Sequence, residues 1–153
     1  MTEFLHAVEK KGDLSKVLGL AYLNEKGDFV YTGDRPFIED LDSLPIPAYH
    51  LAKMEHPYVT LPSEGKRGLV VNFSRGCLWD CTFCSESAFY KKTWRRRSPK
   101  LIADELELLK DKYNRDIFYV GDNTFNVKRE QGIGFIEEML KRKTNQHFWL
   151  QSR

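Results

Sequence analysis

Apolar residues recur along the chain at two spacings. Residues 69–73, Leu-Val-Val-Asn-Phe, form a short β-prone run of the kind a buried parallel strand shows. Ile117-Phe118-Tyr119-Val120 is a second run, and residues 147–150, His-Phe-Trp-Leu, are a third. Between the first and second, Ile102, Leu106, Leu109 and Tyr113 repeat at helical spacing. Ser98-Pro99 precedes them, a serine N-cap with proline at the first helical position. Between the second and third, Ile133, Ile136 and Leu140 place one apolar face on a helix over residues 128–143. Gly132 and Gly134 weaken that helix by up to about 1 kcal/mol each. Strand, helix, strand, helix, strand predicts an α/β fold with a parallel sheet. Such folds gather the loops after their strands on one face and put their chemistry there. Here those loops are a cysteine-containing loop after residue 73, Gly121-Asp122-Asn123, and Gln151-Ser152-Arg153.

The upstream pattern differs. Residues 1–32 read as a short helix and a hairpin, with strands at 17–23 and 29–32. Asn24-Glu25-Lys26-Gly27-Asp28 between them carries turn chemistry. Residues 33–65 have little periodicity and hold Pro36, Pro45, Pro47, Pro57 and Pro62, five of the six prolines. Proline fixes φ and removes a backbone donor, which predicts an extended linker. Two regions are therefore expected: a connector at 1–65 and the βα series at 66–153.

Composition narrows the class. The chain has 153 residues, 41% hydrophobic and 30% charged, with a formal net charge of +2. That is the range of a soluble globular domain and not of a general nucleic-acid binder. The basic run Lys91-Lys92-Thr93-Trp94-Arg95-Arg96-Arg97 has two readings: a solvated face before a helix, the expectation preferred here, or a contact to an anionic substrate or RNA with Trp94 stacking. No apolar run approaches the roughly 18 residues that span a bilayer, and the N-terminus lacks a signal-peptide core. A cytoplasmic location is expected. In a reducing compartment, clustered cysteines are metal ligands or redox thiols before they are disulfides.

All three cysteines lie in RGCLWDCTFC, residues 75–84. A closed tetrahedral site needs four ligands. One reading completes a zinc site with His50, His56 or His147. The other is a cubane iron–sulfur cluster, in which each of four irons takes one external ligand. Cys77, Cys81 and Cys84 would cap three irons and leave the fourth open for a small molecule.

The spacing Cys-x3-Cys-x2-Cys, with Phe83 before the last cysteine and a strand just upstream, resembles the signature of the radical S-adenosylmethionine (radical SAM) enzymes. RGCLWDCTFCSESAFYKKTWRRRSPKLIADEL, IFYVGDNTFNV and HFWLQSR are similar to the subfamily that carries a cobalamin-binding domain ahead of its barrel. GLAYLNEKGDFVYTGDRPFIEDLDSLPIPAYHL looks like the connector of that subfamily. The resemblance implies a partial radical SAM (β/α) barrel in which Cys77, Cys81 and Cys84 hold a [4Fe–4S] cluster. It implies SAM chelated at the open iron and cleaved reductively to a 5′-deoxyadenosyl radical, for hydrogen abstraction or cobalamin-linked methyl transfer. It implies an electron donor such as flavodoxin or ferredoxin. Phe83 takes the family's place near adenine. The loop Gly121, Asp122, Asn123 approaches the amino group of SAM, where Asp122 can accept from an ammonium; a capping or turn role for Asp122 stands beside that reading. Asn126 and Gln151 are further candidates, and the role of Arg153 is left open. The family's cobalamin domain would precede residue 1 and further barrel units would follow residue 153, so an internal slice of a larger enzyme is expected, with its small-molecule substrate unspecified. Two other classes remain: a non-catalytic iron–sulfur or zinc module, and an RNA-binding module built on the basic run.

Overall fold

The structure is a computed structural model that describes residues 2–54, 59–60 and 67–153. Two compact units divide between Ile38 and Glu39. The boundary expected at residue 65 lies outside the described residues; residues 39–54 cluster with the second unit.

In the first unit, helix α1 (Thr2–Glu9) leads to a single 3₁₀ turn at Leu14–Lys16, whose N-cap Asp13 accepts from the Ser15 amide at 3.0 Å. Strands β1 (Ala21–Leu23) and β2 (Phe29–Tyr31) then pair antiparallel. The Asn24 side chain builds the turn between them, its Oδ1 accepting from the amides of Lys26 and Asp28, each at 2.9 Å. The first strand begins later than expected. Val17 closes the 3₁₀ turn, and Gly19, at φ +80°, donates to the Gly33 carbonyl at 2.9 Å.

The second unit follows the order β3 (Val59–Thr60), β4 (Arg67–Val71), β5 (Ser74–Gly76), α2 (Glu86–Tyr90), β6 (Trp94–Arg96), α3 (Pro99–Tyr113), β7 (Ile117–Val120), α4 (Arg129–Arg142) and β8 (His147–Trp149). Its sheet runs β3-β4-β7-β8. Strands β4, β7 and β8 are parallel, and the short β3 is an antiparallel edge. The α/β parallel series read from the sequence is the observed fold. The β5–β6 hairpin was not anticipated, because Ser-Arg-Gly and Trp-Arg-Arg carry no apolar alternation.

Register fixes the two faces. Leu69, Phe118 and Phe148 lie in one row across the strands, with Val71 and Val120 on the same face. Helix α3 buries Ile102, Leu106 and Leu109 completely in this core, as its periodicity predicts. Ser98 caps it, accepting from the Leu101 amide at 3.4 Å. The opposite row is Val70, Tyr119 and Trp149, and Val70 and Trp149 there stay exposed.

Three expectations change. Helix α4 does not bury Ile133, Ile136 and Leu140; all three are exposed. It buries Phe135 instead, whose ring packs 5.4 Å from Phe73, 5.6 Å from Phe125 and 5.5 Å from Phe148. Gly134 favours the choice: a Cβ there would stand 3.1 Å from Pro99 Cγ, so this side of the helix approaches α3 more closely than most side chains sit. The proline-rich segment does more than cross a surface. Leu41 and Met54 are buried, and the Tyr49 hydroxyl donates to the Glu105 carboxylate, which also pairs with Arg97. Only part of the basic run is a solvated face: Lys91 and Lys92 are exposed, but Arg95 and Arg97 are buried, and the Arg96 guanidinium lies 4.4 Å from the Phe125 ring centre. Alternation puts Arg95 on the buried side of β6 and Arg96 on the other, which composition alone does not reveal.

Candidate functional site

The base of the cysteine loop is built first. After β4 the chain continues through Asn72-Phe73 into β5, and Asp122 at the end of β7 holds this junction. The Phe73 amide donates to Asp122 Oδ1 at 2.8 Å, the Ser74 amide to the same oxygen at 3.0 Å, and the Ser74 hydroxyl to Oδ2 at 2.7 Å. Asp122 is 2% exposed. Both carboxylate oxygens are therefore engaged by the chain's own donors. Gly121 packs its backbone on Asn72, where a Cβ would stand 2.6 Å from Oδ1. The missing side chain leaves room for Asn72 and Val70 at the ends of the two strands.

The β5–β6 ladder, Ser74 opposite Arg96 and Gly76 opposite Trp94, pinches the loop shut. Gly76 has φ +98°, and a Cβ there would lie 2.1 Å from the Thr93 carbonyl oxygen. Only glycine fits this approach, and Cys77 follows it directly. Arg96 braces the same base: Nη1 donates to the Phe125 carbonyl at 3.0 Å. Burial lowers the pKa of this guanidinium, and the nearby Asp122 carboxylate opposes that shift.

Beyond the base, the loops after β4, β7 and β8 line one cavity of about 680 Å³. Cys77, Cys81, Cys84 and Phe83 come from the first, Asn123 and Thr124 from the second, and Gln151 to Arg153 from the third. The Phe125 amide ties the second loop to the third through the Gln151 carbonyl at 2.8 Å. Asn126 does the same: its Nδ2 donates to the Arg153 carbonyl at 2.9 Å, and its Oδ1 accepts from the Arg153 amide at 3.2 Å. Gln151 donates to the Tyr119 hydroxyl at 2.9 Å. Asn126 is thus a clamp between loops. Phe83 is 90% exposed beside the thiols.

Three residues in the cavity were not singled out from the sequence. Trp79 lies between the first two cysteines. Glu86 accepts from Asn123 Nδ2 at 2.5 Å. Thr124 Oγ1 stands 3.9 Å from Cys77 Sγ. Only Trp79, inside the motif, carried a signal; the other two depend on how the loops fold back.

Three thiols face a shared space, all partly exposed and free of disulfides. Among the described residues, no group of three or more His, Cys, Asp or Glu is already gathered closely enough to hold a metal ion. No described histidine lines the cavity. His147 begins β8, at the end of the strand remote from Gln151–Arg153, and His50 is exposed in a 3₁₀ turn. His56 lies outside the described residues. No helix among the described residues is long and apolar enough to cross a membrane.

Residues 71–151 match the profile of the radical SAM superfamily. Among curated proteins, the chain is 36% identical over 130 residues to the anaerobic magnesium-protoporphyrin IX monomethyl ester cyclase of Rubrivivax gelatinosus, covering 85% of this chain and 23% of that protein. It is 28% identical over 154 residues to the hopanoid C-3 methylase of Methylococcus capsulatus, covering 99% and 27%. The chain thus spans about a quarter of the length of these relatives. Among solved structures, the cobalamin-dependent S-adenosylmethionine radical enzyme OxsB superposes with TM-score 0.72 at 21% identity, over 96% of this chain and 20% of that one. The radical S-adenosylmethionine methyltransferase TsrM from Kitasatospora setae superposes with TM-score 0.68 at 16% identity, over 98% and 31%. These two likenesses concern the fold.

Proposed function

This chain belongs to the radical SAM superfamily, and we propose that it is the cluster-binding part of a radical SAM enzyme, with Cys77, Cys81 and Cys84 holding a [4Fe–4S] cluster and SAM seated in the same cavity. One observation carries the reading: three thiols and the loops of all three parallel strands line one cavity of about 680 Å³. That volume lies within the roughly 300–1,000 Å³ typical of cofactor and small-molecule sites. When bound, the cluster supplies an electron that cleaves SAM to a 5′-deoxyadenosyl radical.

The chain's own residues do the holding. The Asp122 anchor and the Gly76 pinch fix where the cysteine loop leaves the sheet. Phe83 offers an aromatic face to the adenine. Asn123, fixed by Glu86, presents a polar group from the second loop. Asp122 and Gly121 act behind this surface. The relatives named above are a cyclase and a methylase, so the reaction of the whole protein falls in the class of radical ring closure or methyl transfer. Cobalamin, named for OxsB, would be held by residues outside this chain. Reduction calls for a low-potential protein donor such as a flavodoxin or ferredoxin.

The test is anaerobic reconstitution with iron and sulfide. We expect a brown four-iron protein whose absorption and EPR spectra change on adding SAM. A colourless zinc protein, or a cluster indifferent to SAM, would overturn the assignment.

A further inference from the structure

Arg153 stands in the cavity for a reason the cluster reading does not by itself supply. Its Nη1 lies 3.3 Å from Cys81 Sγ, placed to donate to sulfur. Its guanidinium carbon lies 4.7 Å from the centre of the Trp79 ring. Its backbone is clamped on both sides by Asn126. A long cationic side chain in an open cavity normally samples many rotamers, and fixing it has an entropic cost. Here an indole platform and a two-bond backbone clamp define its path, and the head ends on one sulfur of the three.

We propose that Arg153 is a positioning residue that tunes the cluster's reduction potential through Cys81. The proposal rests on the cluster reading above. The physical argument is one of charge. One-electron reduction of a [4Fe–4S] cluster adds a negative charge, much of it shared with the thiolate sulfurs. A hydrogen bond and a cation at one of those sulfurs stabilise the reduced form more than the oxidised form, which raises the potential. The planar fork suits both demands at once, its carbon lying over the Trp79 ring while one nitrogen meets sulfur. Because the site is open to water, the effect is screened, and we expect about a tenfold change in the reduction equilibrium, which is about 59 mV for a one-electron couple.

The experiment is an EPR-monitored redox titration of anaerobically reconstituted protein, with a low-potential one-electron reductant such as a europium(II) chelate as the electron source. Iron and sulfide content are measured on every sample. The Arg153→Gln protein, at full four-iron content, is expected to have a potential lower than wild type by that tenfold. Arg153→Lys, which keeps the charge but not the fork, is expected to fall between. Trp79→Leu, which removes the platform, is expected to shift the same way by less. Potentials of Arg153→Gln and Trp79→Leu equal to wild type would overturn the proposal while leaving the cluster assignment standing. Should Arg153→Gln fail to assemble a cluster, unshifted potentials in both Arg153→Lys and Trp79→Leu overturn it equally. A wild-type protein that takes up no four-iron cluster would instead sink the reading beneath it.

Discussion

The base and the tip of the cysteine loop are built on opposite principles. At the base, Phe73, Ser74, Gly76, Arg95, Arg97 and Asp122 are all buried, and the Asp122 carboxylate has donors on both oxygens. At the tip, Leu78, Trp79 and Phe83 are exposed, and the Cys77 and Cys81 sulfurs lie beside Thr124 and Arg153. A protein that buries this much polar structure under a loop, then leaves large aromatics in water above it, divides labour: the base sets position and the tip is free to meet a ligand. Apolar side chains left exposed as a group mark a surface with something to bind.

The comparison can be broken in four ways. The largest effect is expected at the tip, on binding alone. Replacing Cys77, Cys81 or Cys84 by alanine removes the ligand of one iron, so four-iron content by Mössbauer spectroscopy should be lost. The thermal midpoint of the metal-free protein should stay near wild type, because these side chains are only partly buried. A full four-iron cluster in Cys84→Ala would show that the assignment is wrong.

Next comes the base. Asp122→Ala strips the acceptor from the Phe73 and Ser74 amides and the Ser74 hydroxyl. Buried donors left without partners cost about 1–3 kcal/mol each, so denaturant unfolding should show a loss of about 3 kcal/mol, with cluster uptake falling alongside it. Asp122→Asn, which keeps one acceptor oxygen, should lose about half as much. Wild-type stability in Asp122→Ala, combined with weakened SAM binding, would return Asp122 to the ligand-facing role.

A smaller effect is expected at the buried Tyr49–Glu105–Arg97 group. Burial, then the hydrogen bond to Glu105, raises the Tyr49 pKa well above its ordinary value of 10.0, while Arg97 opposes the shift. The proton is held more tightly in the folded state. The stability this provides is complete below pH 10.0 and is lost as pH rises from there toward the folded-state pKa. Tyr49→Phe should cost about 1 kcal/mol at neutral pH and flatten the alkaline limb of the stability profile. Identical alkaline limbs in the two proteins would remove Tyr49 from the account.

The smallest change in stability is expected at Phe83→Ala, less than about 0.5 kcal/mol for an exposed site. Its effect should appear in SAM binding, where loss of an aromatic contact of about 0.5–1.5 kcal/mol moves the SAM-dependent spectral change to severalfold higher SAM. A large loss of stability here would mean the tip also supports the fold.

The sequence by itself determined the order of the parallel elements and the place of the thiols. A strand ending at a cysteine loop, a Ser-Pro helix start, and helical spacing at Ile102, Leu106 and Leu109 are local signals, and for α3 that periodicity marks the face it buries. Tertiary structure decided what those signals could not. It selected the Phe135 side of α4 over the more obvious Ile133–Ile136–Leu140 stripe, because Gly134 lets the helix approach Pro99. It buried Arg95 and Arg97, because the β5–β6 pairing turns them inward. It gave Asp122 two amides and a hydroxyl to accept from, 48 and 49 residues upstream. It also brought Arg153 to within 3.3 Å of Cys81, 72 residues away in sequence. Contacts of that span depend on how three loops converge, and no spacing within any one of them records it.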